Sequence, residues 1–245
     1  MNEQNLDFGH VAESLRVFHS NSAFHPQSLL SENEYQPKVK ICGIQTKEEA
    51  EWAVQYGVDM LGFVFAKSKR QVSLEQAKKI AKGLPPSIKK VGVFVNPELD
   101  EVLNCKEQVP LDLIQFHGNE SPEFVKQLSP SIKAIQVRDG KFSQDIWTYP
   151  DSLILLDAPE ENFVGGNGKS FDWEKLLEVK LPKERLIVAG GLNEKNVLRA
   201  IGLFKPFAVD VSSSVETMGK KDQTKIKNFI QQVKGVRENG LSSTR

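Results

Sequence analysis

The sequence predicts an α/β fold, a (β/α)8 TIM barrel that forms a single domain with an N-terminal extension. Eight short apolar runs rich in β-branched residues recur along the chain, and amphipathic stretches with helix-start signals separate most of them. These units fit into about 200 residues, the lower size limit of the barrel. A doubly wound open sheet is the alternative, but the glycine-rich phosphate fingerprint expected after its first strand is absent. The barrel is therefore favoured.

The predicted strands follow one another from residue 38 onward. They cover residues 39–42, 60–65, 88–95, 111–116, 132–137, 153–156, 186–189 and 207–211. Capping boxes at Thr46 and Ser73 predict helices after the first two strands. Asn96 and Ser121 each precede a proline, which predicts a cap followed by a proline at the first helical position. A last helix is predicted over 223–233, where apolar residues recur at helical spacing.

Composition divides the chain into three parts. Residues 1–37 are rich in Asn, Gln, Ser and His and contain no strand-like run, so an irregular N-terminal extension is predicted there. The catalytic barrel is expected over 38–235, and a short C-terminal tail over 236–245. The fifth unit of the barrel is the weakest, because residues 139–150 are too few and too irregular for a full helix.

Charge and composition argue against several classes of function. The 32 basic residues balance the 32 acidic ones, so no net field attracts nucleic acid or an anionic membrane. No apolar run approaches the roughly 18 residues that cross a bilayer, and the amino terminus lacks the apolar segment of a secretory signal. Cys42 and Cys105 are expected at opposite ends of the barrel, too far apart for a disulfide. We therefore expect free thiols and a cytoplasmic location.

Two candidate catalytic residues stand where predicted strands end, which is where barrels of this kind build their active sites. Cys42 ends the first strand and Asp157 follows the sixth, on opposite sides of the barrel mouth. A thiol can accept a proton and a carboxyl group can donate one, if their pKa values are suitably shifted. Cys42 alone could be a small buried apolar residue, and Asp157 alone could be a cap. Together they indicate an acid and a base suited to an isomerisation.

Two loops suggest that the ligand carries a phosphate. Gly190 and Gly191 follow the seventh strand, and a run of serines over 212–214 follows the eighth. Glycine lets the backbone approach a ligand closely, and N–H groups at a helix start bind anions. Barrels often hold phosphate between these two loops. The alternative is an ordinary glycine helix entry and a serine turn, but both loops agree with the expected phosphate site.

A set of motifs stands in order at the strand ends. It comprises Lys40-Ile41-Cys42-Gly43, Gln115-Phe116-His117-Gly118, Leu155-Leu156-Asp157, Gly165-Gly166-Asn167-Gly168 with Phe171-Asp172-Trp173, Ala189-Gly190-Gly191-Leu192 and Val209-Asp210-Val211-Ser212-Ser213. In this order, over about residues 38–235, the chain resembles the phosphoribosylanthranilate isomerases of tryptophan biosynthesis.

This resemblance implies an Amadori rearrangement of N-(5-phosphoribosyl)anthranilate to 1-(2-carboxyphenylamino)-1-deoxyribulose 5-phosphate, with no cofactor and no metal. It implies that Asp157 is the general acid, that Cys42 is the general base, and that Arg70 holds the anthranilate carboxylate. Asp210 is expected near the amino group. The phosphate is expected on the backbone around Gly190, Gly191, Ser213 and Ser214. The expected assembly is a monomer or homodimer, with docking to other tryptophan-pathway enzymes.

The chain departs from the family pattern at Ser214, where the family has glycine, at Asn167, where it has threonine, and at Lys69, where it prefers proline. Serine at 214 is strained if φ is positive. The two preceding serines favour a negative φ instead. The alternatives are a related phosphate-binding barrel isomerase and a catalytically silent paralogue. Cys42 argues against the histidine-pathway isomerase, which uses two aspartates, and the presence of both catalytic residues argues against a silent paralogue.

Overall fold

A computed structural model describes residues 35–138, 140–157, 176 and 178–235. Within them, parallel strands form the barrel: β1 Lys38–Cys42, β2 Met60–Val64, β3 Lys89–Phe94, β4 Leu113–Phe116, β5 Ser131–Arg138, β6 Ser152–Asp157, β7 Leu186–Ala189 and β8 Ala208–Val211. Each strand pairs with the next along the chain, and β8 also pairs with β1, so the sheet closes on itself. All eight strand predictions are confirmed, with boundaries that differ by at most two residues.

Helices pack around the barrel. Those described are α1 Lys47–Gln55, α2 Leu74–Lys82, α3 Leu99–Gln108, α4 Pro122–Lys126, α5 Val197–Phe204 and α6 Gln223–Lys234. The capping box at Thr46 is confirmed, because Glu49 N donates to the Thr46 hydroxyl and the Glu49 carboxylate accepts from Thr46 N. Ser121 caps α4 with Pro122 in its first turn, as predicted. No helix among the described residues is both long and apolar enough to cross a membrane.

Two predicted helix starts differ from the structure. Ser73 caps α2, but the Gln76 side chain donates to the carbonyl oxygen of Gln45 in the loop after β1 instead of closing the capping box. The predicted cap at Asn96 is wrong, because α3 starts at Leu99 with Glu98 as its cap residue. In both cases the side chain forms a hydrogen bond with a neighbouring loop instead of one with the first turn of its own helix.

Asn96 has a structural role that its position before a proline did not reveal. Its φ is 46°, in the left-handed region that asparagine tolerates better than most residues. Its side-chain oxygen accepts a hydrogen bond from the backbone N–H of Asn119 at 2.7 Å. The loops that follow β3 and β4 are therefore joined at the mouth of the barrel.

The fifth unit has the irregular form that the sequence predicts. After β5, the segment Lys141–Phe142 pairs antiparallel with the end of the strand, and a 3-10 turn follows at Ile146–Thr148. No α-helix occurs among residues 140–151. Most of the predicted extension at 1–37 and all of the predicted tail at 236–245 lie outside the described residues.

Inward-facing side chains fill the lower part of the barrel. They alternate along the strands, as the pleat requires, and they are Met60, Val91, Leu113, Ile132, Ala134, Leu153, Leu155, Ile187, Ala189 and Ala208. Further along β1, β4, β6 and β8, inward-facing positions carry the side chains of Cys42, Gln115, Asp157 and Asp210. An apolar floor thus lies directly beneath a polar mouth.

A buried ion pair fixes one side of that mouth. The Lys133 ammonium lies 2.9 Å from the carboxylate of Glu120, and the two side chains are 0% and 2% exposed. The same carboxylate accepts from the backbone N–H groups of Asn96 and Gly118. Burial lowers the pKa of Lys133, and Glu120 opposes that shift. Glu120 therefore joins the loops after β3 and β4 to β5.

We predict that Glu120→Ala lowers the free energy of unfolding by about 3–5 kcal/mol, because the buried Lys133 ammonium loses the carboxylate that balances its charge. Urea unfolding followed by circular dichroism measures the loss. Glu107→Ala, on the exposed side of α3, is the control and should change stability by less than about 0.5 kcal/mol. If both variants behave alike, the ion pair does not anchor these loops.

Candidate active site

The two predicted catalytic residues are the last residues of their strands. Cys42 ends β1 and is half-buried, and Asp157 ends β6 with its side chain 32% exposed. The strands are three steps apart around the closed ring of eight. Because the carboxyl ends of parallel barrel strands meet at one face, both side chains belong to the same mouth. Cys42 and Cys105 are both free thiols, as expected.

Lys40 and Asp210 form a buried ion pair beside Cys42. Lys40 lies two residues before Cys42 on the same side of β1, and its ammonium is 2.9 Å from Asp210 Oδ1. Burial lowers the pKa of Lys40, but the charges of Asp210 and Cys42 outweigh burial and raise it. The ammonium therefore keeps its charge next to the thiol.

The Cys42 thiol experiences opposing electrostatic effects. Burial raises its pKa above the ordinary value, and the Asp210 carboxylate acts in the same direction. The ammonium groups of Lys40 and Lys221 lower it. Removing either cation would therefore make the thiolate harder to form.

Arg70 lies against a carboxylate of the protein. Its Nε and Nη2 donate to the two oxygens of Glu216 at 2.6 and 2.9 Å, and Lys221 Nζ donates to the same group at 2.8 Å. Burial raises the pKa of Glu216, but Arg70 and Lys221 outweigh burial and hold it below its usual value. Sequence reasoning overlooked Glu216 and Lys221, although both follow the serine turn after β8 closely.

Lys221 also connects the loops after β1 and β8. Its ammonium donates to the backbone oxygen of Ser212 at 3.0 Å. The Ser212 hydroxyl donates to the backbone oxygen of Cys42, also at 3.0 Å. Burial lowers the pKa of Lys221, while Glu216 opposes the shift. The base candidate is thus held by a short chain of hydrogen bonds from a loop far away in sequence.

The predicted phosphate loops are neighbours, because β7 and β8 pair. Gly190 and Gly191 have φ values of 81° and 59°, a conformation that glycine adopts without strain. Ser214 lies in the 3-10 turn Ser213–Val215, and it is not among the described residues with positive φ. The expectation of a negative φ at Ser214 is confirmed, so serine replaces the family's glycine without backbone strain. Phosphate binding at this corner stays a prediction.

His117 contacts the candidate acid, although the sequence motif alone gave it no role. Its Nε2 lies 3.1 Å from Asp157 Oδ2, and its Nδ1 lies 3.2 Å from the side-chain nitrogen of Gln115. Gln115 lies on β4 and His117 follows its last residue, so the two-residue alternation of a strand could have indicated that both side chains lie on the same side. The motifs over 165–168 and 171–173 lie outside the described residues.

The closed barrel carries a thiol, carboxyl groups and buried cations at the carboxyl ends of its strands, which is the architecture of a (β/α)8-barrel enzyme. The model of the N-(5'-phosphoribosyl)anthranilate (PRA) isomerase family matches residues 39–232. The chain belongs to this family.

Individual relatives agree with this assignment. N-(5'-phosphoribosyl)anthranilate isomerase of Listeria innocua is 53% identical over 199 residues, which cover 81% of this chain and 98% of the relative. A crystal structure of monomers of the dimeric Thermotoga maritima phosphoribosylanthranilate isomerase is 40% identical, with a TM-score of 0.69 and coverage of 81% and 99% of the two chains. A phosphoribosylanthranilate isomerase in complex with reduced 1-(o-carboxyphenylamino)-1-deoxyribulose 5-phosphate is also 40% identical, with the same coverage and a TM-score of 0.72.

We predict that Ser214→Gly does not stabilise the protein. Serine already has a compatible φ, so glycine adds only conformational entropy to the unfolded chain and should cost about 0.5–1 kcal/mol. Melting temperatures with and without inorganic phosphate measure this cost and any loss of phosphate-induced stabilisation.

Ser87→Gly is the matched control, since Ser87 is exposed just before β3, at the opposite end of the barrel. It should leave phosphate-induced stabilisation unchanged. A higher melting temperature for Ser214→Gly in the absence of phosphate would contradict the prediction.

Proposed function

We propose that this chain catalyses the isomerisation of N-(5'-phosphoribosyl)anthranilate to 1-(2-carboxyphenylamino)-1-deoxyribulose 5-phosphate in tryptophan biosynthesis. The observation that carries the proposal is the placement of Cys42 and Asp157 at the ends of β1 and β6, in a barrel of this family. The bound reduced product analogue of a 40% identical relative supports the substrate class. A fluorescence assay that follows the loss of phosphoribosylanthranilate generated in situ tests the activity directly.

In the first step, Asp157 acts as the general acid. Its carboxyl group gives a proton to the ring oxygen of the ribose while the bond between C1 and that oxygen breaks. The electron pair of the broken bond stays on the oxygen, and the nitrogen lone pair forms the C1=N bond of an iminium ion. The partial exposure of Asp157 at the mouth suits it for contact with a bound sugar.

In the second step, Cys42 acts as the general base. Its thiolate takes the proton from C2 and leaves an enolamine, which gains a proton at C1 and loses the proton of the C2 hydroxyl to become the ketone. The substrate neither gains nor loses a proton overall, and each enzyme group resets by exchange with solvent. The Lys40 and Lys221 ammonium groups support this role because both lower the pKa of the thiol.

Arg70 is assigned to the carboxylate of the anthranilate ring. A guanidinium carries five N–H groups, and Glu216 accepts from the two nitrogens Nε and Nη2. Glu216 also fixes the direction of the Arg70 side chain, whose exposed fraction is 19%.

The remaining assignments concern the phosphate and the amino group. The positive φ values of Gly190 and Gly191, and the turn at Ser213 and Ser214, support a phosphate held by backbone N–H groups between the loops after β7 and β8. Asp210, buried beside Lys40, is assigned a position near the substrate amino group.

We further propose that residues 38–235 are the catalytic unit and that residues 1–37 and 236–245 lie outside it. The family match at 39–232, and the coverage of 98% of the Listeria innocua relative, support this division. A homodimer is supported by the dimeric Thermotoga maritima relative. Docking to other pathway enzymes, a cytoplasmic location and independence from cofactors stay predictions.

We predict that Cys42→Ser and Asp157→Asn each lower kcat by about 10² to 10⁴-fold while the protein stays folded, because each removes one proton-transfer group. Steady-state kinetics and circular dichroism measure the two effects.

The matched controls are Cys105→Ala, which removes the thiol in α3, and Asp151→Asn, which changes an exposed aspartate just before the start of β6. Both should keep kcat within about threefold of wild type, as expected of sites away from the chemistry. Wild-type turnover by Asp157→Asn would remove the acid assignment.

We predict that Arg70→Ala raises KM by about 10-fold or more, because charge-assisted hydrogen bonds to a carboxylate are lost. Initial rates over a range of substrate concentrations measure KM. Arg199→Ala, on the exposed face of α5, is the control and should leave KM unchanged. An unchanged KM in Arg70→Ala would mean that Arg70 does not bind the substrate carboxylate and serves only to pair with Glu216.

A further inference from the structure

Three side chains form a row from the interior of β4 to the end of β6. Gln115 is buried, with 1% of its surface exposed, and its side-chain nitrogen lies 3.2 Å from His117 Nδ1. His117 Nε2 lies 3.1 Å from Asp157 Oδ2. His117 and Asp157 are partly exposed at the mouth, at 28% and 32%. The row therefore connects the candidate acid both to solvent and to a buried amide.

In the part of the chain that the structure describes, only the nitrogen of the Gln115 side-chain amide has a hydrogen-bond partner. Its oxygen Oε1 is buried and has no hydrogen-bond partner among the described residues. A buried polar atom without a partner costs free energy, and such an atom in a native fold calls for an explanation. The other end of the same amide contacts the His117 ring, so the row offers an explanation.

The amide orientation decides which nitrogen of His117 carries hydrogen. When the Gln115 nitrogen donates to Nδ1, a neutral ring has its hydrogen on Nε2 and donates it to the Asp157 carboxylate. In this arrangement the Asp157 carboxylate only accepts a hydrogen bond from the ring. The row then holds no proton for the substrate.

A half-turn of the amide reverses this situation. The oxygen then faces Nδ1 and accepts a hydrogen bond from it, so both ring nitrogens of His117 can carry hydrogen. His117 Nε2 and the Asp157 carboxylate then share a proton that can be transferred. The oxygen that lacks a partner in the observed orientation gains one in this state.

We propose that Gln115 and His117 are positioning residues that load Asp157 with the proton it delivers to the ribose ring oxygen. This inference rests on the proposed function, in which Asp157 is the general acid. After Asp157 has given up its proton, the His117 ring supplies the next one through Nε2 and takes up another from solvent at its exposed edge. The proton lost by the substrate's C2 hydroxyl balances this uptake.

Other charged groups face the row from neighbouring strands. Asp210 on β8 interacts with two members of the row, because Asp157 raises the pKa of Asp210 and His117 lowers it. Lys40 on β1 compensates the charge of Asp210 at 2.9 Å. Arg138, at the exposed end of β5, lies between β4 and β6 in the sheet order. These groups are common to the wild type and to every variant below, so they do not account for differences between variants.

The test compares pH profiles of kcat in three variants of the full chain. His117→Gln keeps an N–H group near Asp157 but cannot ionise, and Gln115→Met keeps the volume but offers no acceptor to Nδ1. Both variants should lower kcat about 10- to 100-fold at neutral pH. In both, the limb of the pH profile of kcat along which the general acid loses its proton should move to lower pH, by about one to two pH units. Gln115→Glu presents only acceptor oxygens and should move the same limb to higher pH. Shifts in opposite directions are not expected from a merely structural role.

Nuclear magnetic resonance of ¹⁵N-histidine provides a readout that does not depend on turnover. The chain has four histidines, and the signal of His117 is the one that disappears in His117→Gln. Its ring nitrogens should titrate at lower pH in Gln115→Met and at higher pH in Gln115→Glu than in the wild type. In wild-type protein labelled with ¹⁵N-glutamine, the side-chain amide signals of Gln115 should shift at the same pH midpoint as the His117 ring.

Failure of this inference is distinct from failure of the proposed function. The inference alone is overturned if Asp157→Asn is inactive while the Gln115 variants keep the wild-type pH profile of kcat and the wild-type titration of His117. A fully active Asp157→Asn would overturn the acid assignment on which it rests. If Gln115→Glu does not fold, Gln115→Met still tests the inference, because an identical His117 midpoint in Gln115→Met and in the wild type would refute coupling between the amide and the ring.

Discussion

The register between β1 and β8 is the constraint on which the site depends. It places Lys40 opposite Asp210, two residues 170 positions apart in the chain, and their side chains form a buried ion pair at 2.9 Å. The same pairing closes the ring of strands and brings Cys42 beside the ion pair. A shift of the register by one residue would turn the inward side chains of one strand outward. Barrel closure and the environment of the base are therefore set together.

Buried ion pairs lie beside Cys42. Lys40 pairs with Asp210, while Arg70 and Lys221 pair with Glu216. Of these cations, Lys40 and Lys221 lower the pKa of the Cys42 thiol. Burial acts in the opposite direction on the thiol, since it raises the pKa of Cys42. The site thus combines a desolvated base with compensating cations from three different loops and strands.

The opposite side of the mouth is organised around carboxylates and amides. Glu120 holds the loops after β3 and β4 to Lys133, and Asn96 joins the same two loops through its side-chain oxygen. Next to them, His117 contacts Asp157. The rigid attachment of these loops explains how a short row of hydrogen bonds can keep a fixed geometry beside an acid that is partly exposed to solvent.

The sequence by itself determined the fold class, the eight strands within two residues, the first helix cap, the irregular fifth unit and the strand ends that carry Cys42 and Asp157. These features follow from local periodicity, capping chemistry and the period-two alternation of strands, which act over a few neighbouring residues. Only the tertiary structure decided that Arg70 pairs with Glu216, that His117 contacts Asp157, and that Asn96 and Gln76 bind neighbouring loops instead of closing helix caps. These contacts join residues on different strands and loops, and no local pattern specifies which distant partner a polar side chain will meet once the barrel closes.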